Sequence, residues 1–390
     1  MKINKNTVYL DNAATTFPKP RTVSEAVNDC ITRWCGNAGR GAHPLAMASA
    51  EEIYLCREQL ARMFGGSAEN VVFTLNTTYA LNSVIKGILK QGDHALCSNL
   101  EHNSVYRPLY KLQKGGIIEF DVFNAFPNLE FATPDMVVSS IERLVKSNTR
   151  LLVCTHASNI CPITLPIREI GAFCKSRGIF FAVDGAQSAG IYPIDMKECN
   201  IDALCLPAHK GLYGVQGCGI IILGENMSLE TLIEGGNGVD SLMGEMSADS
   251  PERYEAGTLS TPAIAGLRRG LEFVTSTGIH NIRAHEGKLC RRAKEGLLTI
   301  PGIRVVAPSR EGSLVLFRHD TIPSENIAAE LGRQNICVRA GYHCAALAHE
   351  AIGTPKGGAV RASFGYFNSK KDIDKFIDAV SGIAKNTKSF

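Results

Sequence analysis

None of the thirteen cysteines is paired at C-x-x-C spacing, and the chain contains no H-E-x-x-H, so the ligand patterns that begin structural or catalytic zinc sites are missing. No structural metal is expected. Long apolar runs are missing too: none approaches the roughly 20 residues that cross a bilayer. The opening Met1-Lys-Ile-Asn-Lys-Asn-Thr7 is polar and lacks the apolar core of an export signal. A cytoplasmic protein with no membrane partner is the expectation. Blocks of like charge are absent as well. The 41 Lys and Arg nearly balance the 38 Asp and Glu, and the net charge of +3 is spread along the chain, which gives nucleic acid no basic stripe to bind. There is no internal repeat and no low-complexity segment.

What is present is an ordinary globular composition. With 390 residues, 45% of them hydrophobic, the chain can bury a large core divided over two or three domains. The cysteines are dispersed and odd in number, which argues for reduced, mostly buried thiols and against a disulfide framework.

From about residue 50 to 225, helix-like and strand-like runs alternate. Ser49 to Phe64 and Thr78 to Leu89 have helical apolar spacing, and Val71 to Thr74 lies between them as a strand. Further strand-like runs are His94 to Cys97, Ile117 to Val122, Leu151 to Thr155, Ile179 to Val183, Ala203 to Leu206 and Gly219 to Leu223. This order predicts an α/β fold with a parallel sheet wrapped by helices. Ligands collect at the carboxyl ends of such strands, where Asn76-Thr-Thr78, Glu101-His102, His156, Asp184 and His209-Lys210 fall. Gly235 to Arg253 reads as an exposed loop and Pro262 to Thr275 as a long helix. Ser313 to Arg318 and Ala359 to Ser363 read as strands, and Lys371 to Ile383 as the final helix.

Lys210 follows an apolar run and opens a glycine-punctuated turn, His209-Lys-Gly-Leu-Tyr-Gly214. An amine at a sheet rim can be desolvated and form a Schiff base, and an Asp such as Asp184 can keep a pyridine nitrogen protonated. Asp184 could instead cap the turn before Gly185. Thr77 and Thr78 open a helix whose N–H groups suit a phosphate, or simply cap it. His102 could stack on a planar ring, transfer protons, or serve only as a turn residue. Cys344, in Gly341-Tyr-His-Cys-Ala-Ala346, stands outside any apolar strand, whereas Cys97, Cys154, Cys205 and Cys218 sit in strand-like runs as small buried hydrophobes. Arg339 could pair with a substrate carboxylate and favour a thiolate. Arg361 could be a structural cation.

Taken together, these landmarks resemble those of the fold type I, class V aminotransferase-like pyridoxal phosphate enzymes, and among them the SufS-like cysteine desulfurases and selenocysteine lyases. The similarity rests on Tyr9-Leu-Asp-Asn-Ala-Ala-Thr-Thr16, Asn76-Thr-Thr78, Glu101-His-Asn-Ser104, Ser158-Asn159, Val183-Asp-Gly-Ala-Gln187, His209-Lys210, Tyr254-Glu-Ala-Gly-Thr258, Arg339-Ala-Gly-Tyr-His-Cys344 and Val360-Arg-Ala-Ser363. It implies a large domain over 16–265 with a mainly parallel seven-stranded sheet. A smaller α+β domain, made of 1–15 and 266–390, would carry the catalytic cysteine.

The resemblance further implies that Lys210 holds pyridoxal 5'-phosphate, Asp184 meets its ring nitrogen, His102 stacks over the ring and Gln187 meets its phenolic oxygen. Thr77, Thr78 and His209 would bind the phosphate, with Thr258 arriving from the partner in a homodimer. Asn159 and Arg361 would clamp the substrate carboxylate, with Arg339, Ala13, Arg40 and His43 also near the substrate. Lys210 would move protons at the alpha carbon, and Cys344 would take the sulfur of L-cysteine as a persulfide for an acceptor protein, as in iron–sulfur cluster assembly. A selenocysteine lyase acting on L-selenocysteine is the nearest alternative. Another class V aminotransferase or epimerase, or an inactive sulfur-carrier partner, is further off. Two departures stand out: Pro207 replaces a small polar residue and removes one phosphate contact, and Cys161 places a second thiol near the expected pocket.

Overall fold

Short apolar runs become buried strands here because both faces of the sheet are covered, so residues of either parity find an apolar partner. The computed structural model describes residues 7–39, 41–126, 132–225, 227–239, 241–354 and 356–385. Seven strands form the main sheet: Val71–Thr74 (β1), His94–Ser98 (β2), Glu119–Phe123 (β3), Thr149–Thr155 (β4), Phe180–Asp184 (β5), Ala203–Pro207 (β6) and Gly219–Leu223 (β7). Their spatial order is β1-β7-β6-β5-β4-β2-β3. β7 is antiparallel to both neighbours, and every other pair is parallel.

Alternate residues supply the two faces. Leu152, Cys154, Phe181, Val183, Leu204 and Leu206 belong to one apolar cluster, while Leu151, Val153, Ala182, Ala203 and Cys205 belong to another on the opposite side. The expected strands all form, with ends moved by one or two residues. Ile117 and Ile118 drop out of β3 because the chain is still leaving the Gly115-Gly116 turn.

The helix expected from Ser49 begins earlier and runs Pro44–Phe64. Pro44 occupies the first turn, where its missing N–H costs nothing, and His43 caps it, Nδ1 accepting from Ala46 N at 3.3 Å. The helix expected from Thr78 runs Thr77–Ile88, and the loop expected from Gly235 contains neither helix nor strand among its described residues before Pro251.

A second, antiparallel sheet has the order Arg339–Gly341, Ala359–Ser363, Leu314–His319, Ile303–Val305. Helices Ile279–Leu298, Ser324–Arg333 and Lys370–Lys385 cover it through an apolar cluster of their own. Val8–Tyr9 pairs in parallel with Ile336–Cys337 as a separate two-stranded sheet, and Asp11 bridges Ser363 at the end of a second-sheet strand. The seven-stranded, mainly parallel sheet wrapped by helices is the α/β architecture that the resemblance implied. No helix among the described residues is long and apolar enough to cross a membrane.

Candidate active site

Five strands deliver polar residues to one edge of the main sheet: Asn76 follows β1, Glu101 and His102 follow β2, His156 follows β4, Asp184 ends β5, and His209-Lys210 follow β6. A cavity of about 110 Å³ opens there. It brings Lys210, Asp184, His102 and Gln187 together with Thr77, Thr78, His209 and Asn159. The turn after Lys210 depends on Gly211, where a Cβ would lie 2.2 Å from the Ala189 carbonyl oxygen.

Loss of hydration brings the Lys210 amine down to about 8, against the upward pull of Asp184. Asp184 is 2% exposed, and burial raises its pKa. The Ala186 N–H, donating to Oδ1 at 2.9 Å, and the Lys210 charge oppose that rise. Asp184 therefore both braces the turn and faces the amine. Behind it Glu101 is fully buried and pushed up to about 8, mainly by burial. Its Oε1 accepts from Ser98 Oγ and from Thr155 N, while Oε2 has no partner.

His102 caps the helix Asn103–Lys114. Its Nδ1 accepts from Ser104 N at 3.1 Å, so in the neutral ring the proton sits on Nε2. Burial and the Lys210 charge bring its pKa down to about 4. In the first turn of the helix Thr77–Ile88, the cap is Asn76, whose Oδ1 accepts from Tyr79 N at 3.0 Å. The threonines are thus released from capping. Thr77 Oγ1 is buried without a partner, and so is Nδ1 of His209; such orphans cost about 1–3 kcal/mol each unless a ligand meets them. Gly219 permits this corner, since a Cβ there would lie 2.3 Å from the Asn76 carbonyl carbon. Pro207 lines the same wall and has no N–H to offer.

Arg361, 2% exposed, donates from Nη1 to Asn159 O at 2.8 Å and from Nη2 to Asp11 Oδ1 at 2.7 Å. Its buried Nε has no partner. Arg339 donates from Nε to the other oxygen of Asp11 at 3.2 Å. Asp11 is a residue that sequence reasoning quoted only as part of a motif; nothing in the local pattern signals a partner 350 positions away.

Cys344 is exposed, and its segment is fastened at two points. Asn103 N donates to Cys344 O at 2.8 Å, and Asn159 Nδ2 donates to His343 O at 2.8 Å. His343 and Cys344 adopt φ of +51° and +56°, a region that costs an L-residue about 1–2 kcal/mol. His343 is held in it by Nδ1 to His349 Nε2 at 3.1 Å and Nε2 to the Arg339 carbonyl at 3.3 Å. Burial brings the two imidazoles down to about 3 and about 4, so both are neutral at pH 7.

Ala13 adjoins the cavity through its backbone, its carbonyl accepting from Gln187 Nε2 at 2.9 Å and its N–H donating to Ser363 Oγ at 2.9 Å. Thr258 and His43 do not line the cavity; Thr258 is exposed beside a separate opening with Gly39 and Asn237. Arg40 lies outside the described residues. Cys161 is buried and does not line this cavity, and burial pushes its thiol up to about 12.

Residues 8–376 match the family described as aminotransferase class-V. A probable cysteine desulfurase of Methanothermobacter thermautotrophicus is 32% identical over 388 residues, covering 97% of this chain and 94% of that protein. One from Pyrococcus abyssi is 29% identical, covering 99% and 96%. The apo structure of the cysteine desulfurase from Thermococcus onnurineus NA1 aligns with a TM-score of 0.87 at 27% identity, over 99% of each chain. A cysteine desulfurase of Escherichia coli aligns at 0.85 with 25% identity, over 98% of this chain and 95% of that one. With nearly its whole length matched, this chain belongs to the aminotransferase class-V family.

Proposed function

We propose that this protein is a pyridoxal phosphate-dependent cysteine desulfurase, converting L-cysteine to L-alanine and retaining the sulfur on Cys344. The observation that supports this reading is the bond from Asn103 N to Cys344 O, which fastens the residue with the exposed thiol to the helix whose cap, His102, lines the Lys210 cavity. The donor set fits the cofactor. A weakly basic amine, a buried carboxylate, and unpartnered buried atoms on Thr77 and His209 stand at one strand edge.

When bound, pyridoxal phosphate supplies an aldehyde that an amine can join and a ring that accepts electrons from a breaking C–H or C–S bond. Thr77, Thr78 and His209 would hold its phosphate, Asp184 its ring nitrogen, Gln187 its phenolic oxygen, and His102 would cover one ring face. Arg361 and Asn159 would orient the substrate carboxylate, with Arg339 and Ala13 nearby. Lys210, with its amine held near neutrality, moves the proton at the alpha carbon. The Cys344 sulfur attacks the substrate sulfur; the S–S bond forms as the C–S bond breaks, and the substrate carbon gains a proton to become alanine. The persulfide on Cys344 then passes its outer sulfur to an acceptor.

A homodimer belongs to the same reading, because Thr258 is exposed and lies off the cavity, where only a second copy would bring it to the phosphate. His43 and Arg40 would arrive with it. The division into 16–265 and 1–15 plus 266–390 is part of the same proposal: among the described residues the cluster behind the second sheet draws only on 1–15 and 266–390, while Leu316, Ala345, Ala348, Ile352 and Ala359 pack into the core of the main sheet. Incubating the holoprotein with L-cysteine tests the proposal. It requires alanine in step with sulfane sulfur, and a mass gain of one sulfur atom on Cys344. Absence of alanine from a fully loaded protein would overturn it.

A further inference from the structure

The imidazoles of His343 and His349 meet nitrogen to nitrogen at 3.1 Å, with ring planes 16° apart and centroids 5.4 Å apart. The centroid separation exceeds the nitrogen contact by no more than the two ring radii, so the rings lie end to end and an N–H on one points along the lone pair of the other. Which ring donates is decided at the far end of the pair. His343 Nε2 faces the Arg339 carbonyl at 3.3 Å, and a carbonyl only accepts, so Nε2 carries the His343 proton and Nδ1 is left as an acceptor. His349 then donates from Nε2, and its own Nδ1 accepts from the Thr354 hydroxyl at 2.7 Å.

The hydrogen bonds therefore run one way, from Thr354 through His349 and His343 to Arg339. Reversing them would turn the lone pairs of His343 Nε2 and the Arg339 carbonyl on each other, and a second proton on either ring would set N–H against N–H. Burial and the Arg361 charge hold both rings neutral. His349 is fully buried and Thr354 is 3% exposed, so bulk water does not replace either partner. None of the three side chains lines the Lys210 cavity. Their common end is His343, which precedes Cys344 in a left-handed conformation and gives its carbonyl to Asn159.

We infer that His349 is a positioning residue for the attack of the Cys344 sulfur: oriented by Thr354, it fixes the tautomer and ring direction of His343 and so the backbone from which the thiol projects. The inference rests on the reading that Cys344 takes the substrate sulfur. Binding of the amino acid, which uses the cavity, does not depend on His349; the sulfur-transfer step does.

His349→Gln and His349→Leu separate positioning from packing. A glutamine amide can present an N–H to His343 and a carbonyl to Thr354, whereas leucine fills similar space and offers neither. In the cofactor-loaded protein, His349→Leu should lower kcat with L-cysteine about tenfold or more, while KM and the dissociation constant of L-alanine, read by absorbance titration, stay within about twofold of wild type. Hydrogen exchange across 341–345 should rise about three- to tenfold, as expected for one lost bond. His349→Gln should return kcat to within about threefold of wild type and bring exchange back with it. Thr354→Val removes only the hydroxyl that orients His349; it should repeat the leucine result in milder form, and it carries the comparison if the leucine variant does not fold.

Equal kcat in the glutamine variant and in the leucine or valine variant would make His349 a packing residue and overturn the inference. A loss that falls on KM and L-alanine binding with kcat unchanged overturns it as well. If the wild type forms no alanine from L-cysteine, the desulfurase reading fails instead, and hydrogen exchange across 341–345 in the same variants still decides whether His349 holds the segment.

Discussion

The carbonyl of Cys344 accepts a hydrogen bond from the N–H of Asn103 at 2.8 Å, so the residue carrying the exposed thiol is fastened to the helix that His102 caps. The thiol itself packs against no core. Cys344→Ala is therefore expected to abolish alanine formation from L-cysteine while changing stability by no more than about 0.5 kcal/mol. Thermal unfolding and alanine assays on one preparation check both halves. Retained turnover of L-selenocysteine by this variant would favour the lyase alternative.

Asn159→Ala removes the donor to the His343 carbonyl, a bond worth about 0.5–1.5 kcal/mol. The 341–345 segment, which needs support for its two left-handed residues, should then open more often. Backbone hydrogen exchange across it should rise about three- to tenfold, and turnover with L-cysteine should fall by about tenfold or more. Exchange unchanged from wild type would show that the segment does not rely on Asn159.

Glu101 titrates near 8 because burial penalises its charge. The folded state thus holds a proton that the unfolded state has released, and stability contributed here falls as pH rises from about 4.5 to 8. Glu101→Gln keeps the shape and removes the titration. Its melting temperature should exceed that of the wild type by a margin that grows from pH 5 to pH 8; a constant margin would mean that Glu101 is already ionised in the folded protein.

Lys210 is shifted the opposite way, from 10.5 down to about 8. Below pH 8 the folded protein carries a poorly hydrated cation, and the penalty lifts as pH climbs towards 10.5, where the unfolded chain also loses its proton. In the cofactor-free protein, Lys210→Met should be more stable than wild type at pH 7, with the gain shrinking between pH 8 and 10.5. Melting curves across that range read it. The same variant should lose the visible absorbance of the loaded protein.

Much of the main sheet was legible because its strands are short apolar runs separated by helical spacing, and β1 to β7 all appear within two residues of their expected ends. Helix starts were harder to read. His43 and Pro44 add a turn before Ser49, since a histidine cap is not among the common cap signals. At the site, Lys210, Asp184, His102, Thr77 and Thr78 could be singled out because each closes a strand or opens a helix at one edge. Asp11 and the His343–His349 pair could not, because their significance lies in contacts that no local pattern encodes.

Residue order along the chain by itself determined an alternating α/β architecture, the edge where the amine and carboxylates would gather, and a Cys344 set apart from the strand-like runs that hold Cys97, Cys154, Cys205 and Cys218. Only the tertiary structure decided which charges meet. Asp11 and Arg361 are 350 positions apart and touch because Val8–Tyr9 pairs with Ile336–Cys337 and Asp11 bridges Ser363 in the strand that carries Arg361. Hydration is likewise a property of the packed state, and it moves Lys210, Glu101 and His102 from their ordinary pKa values. Pattern in sequence records what each residue prefers; the fold determines what surrounds it.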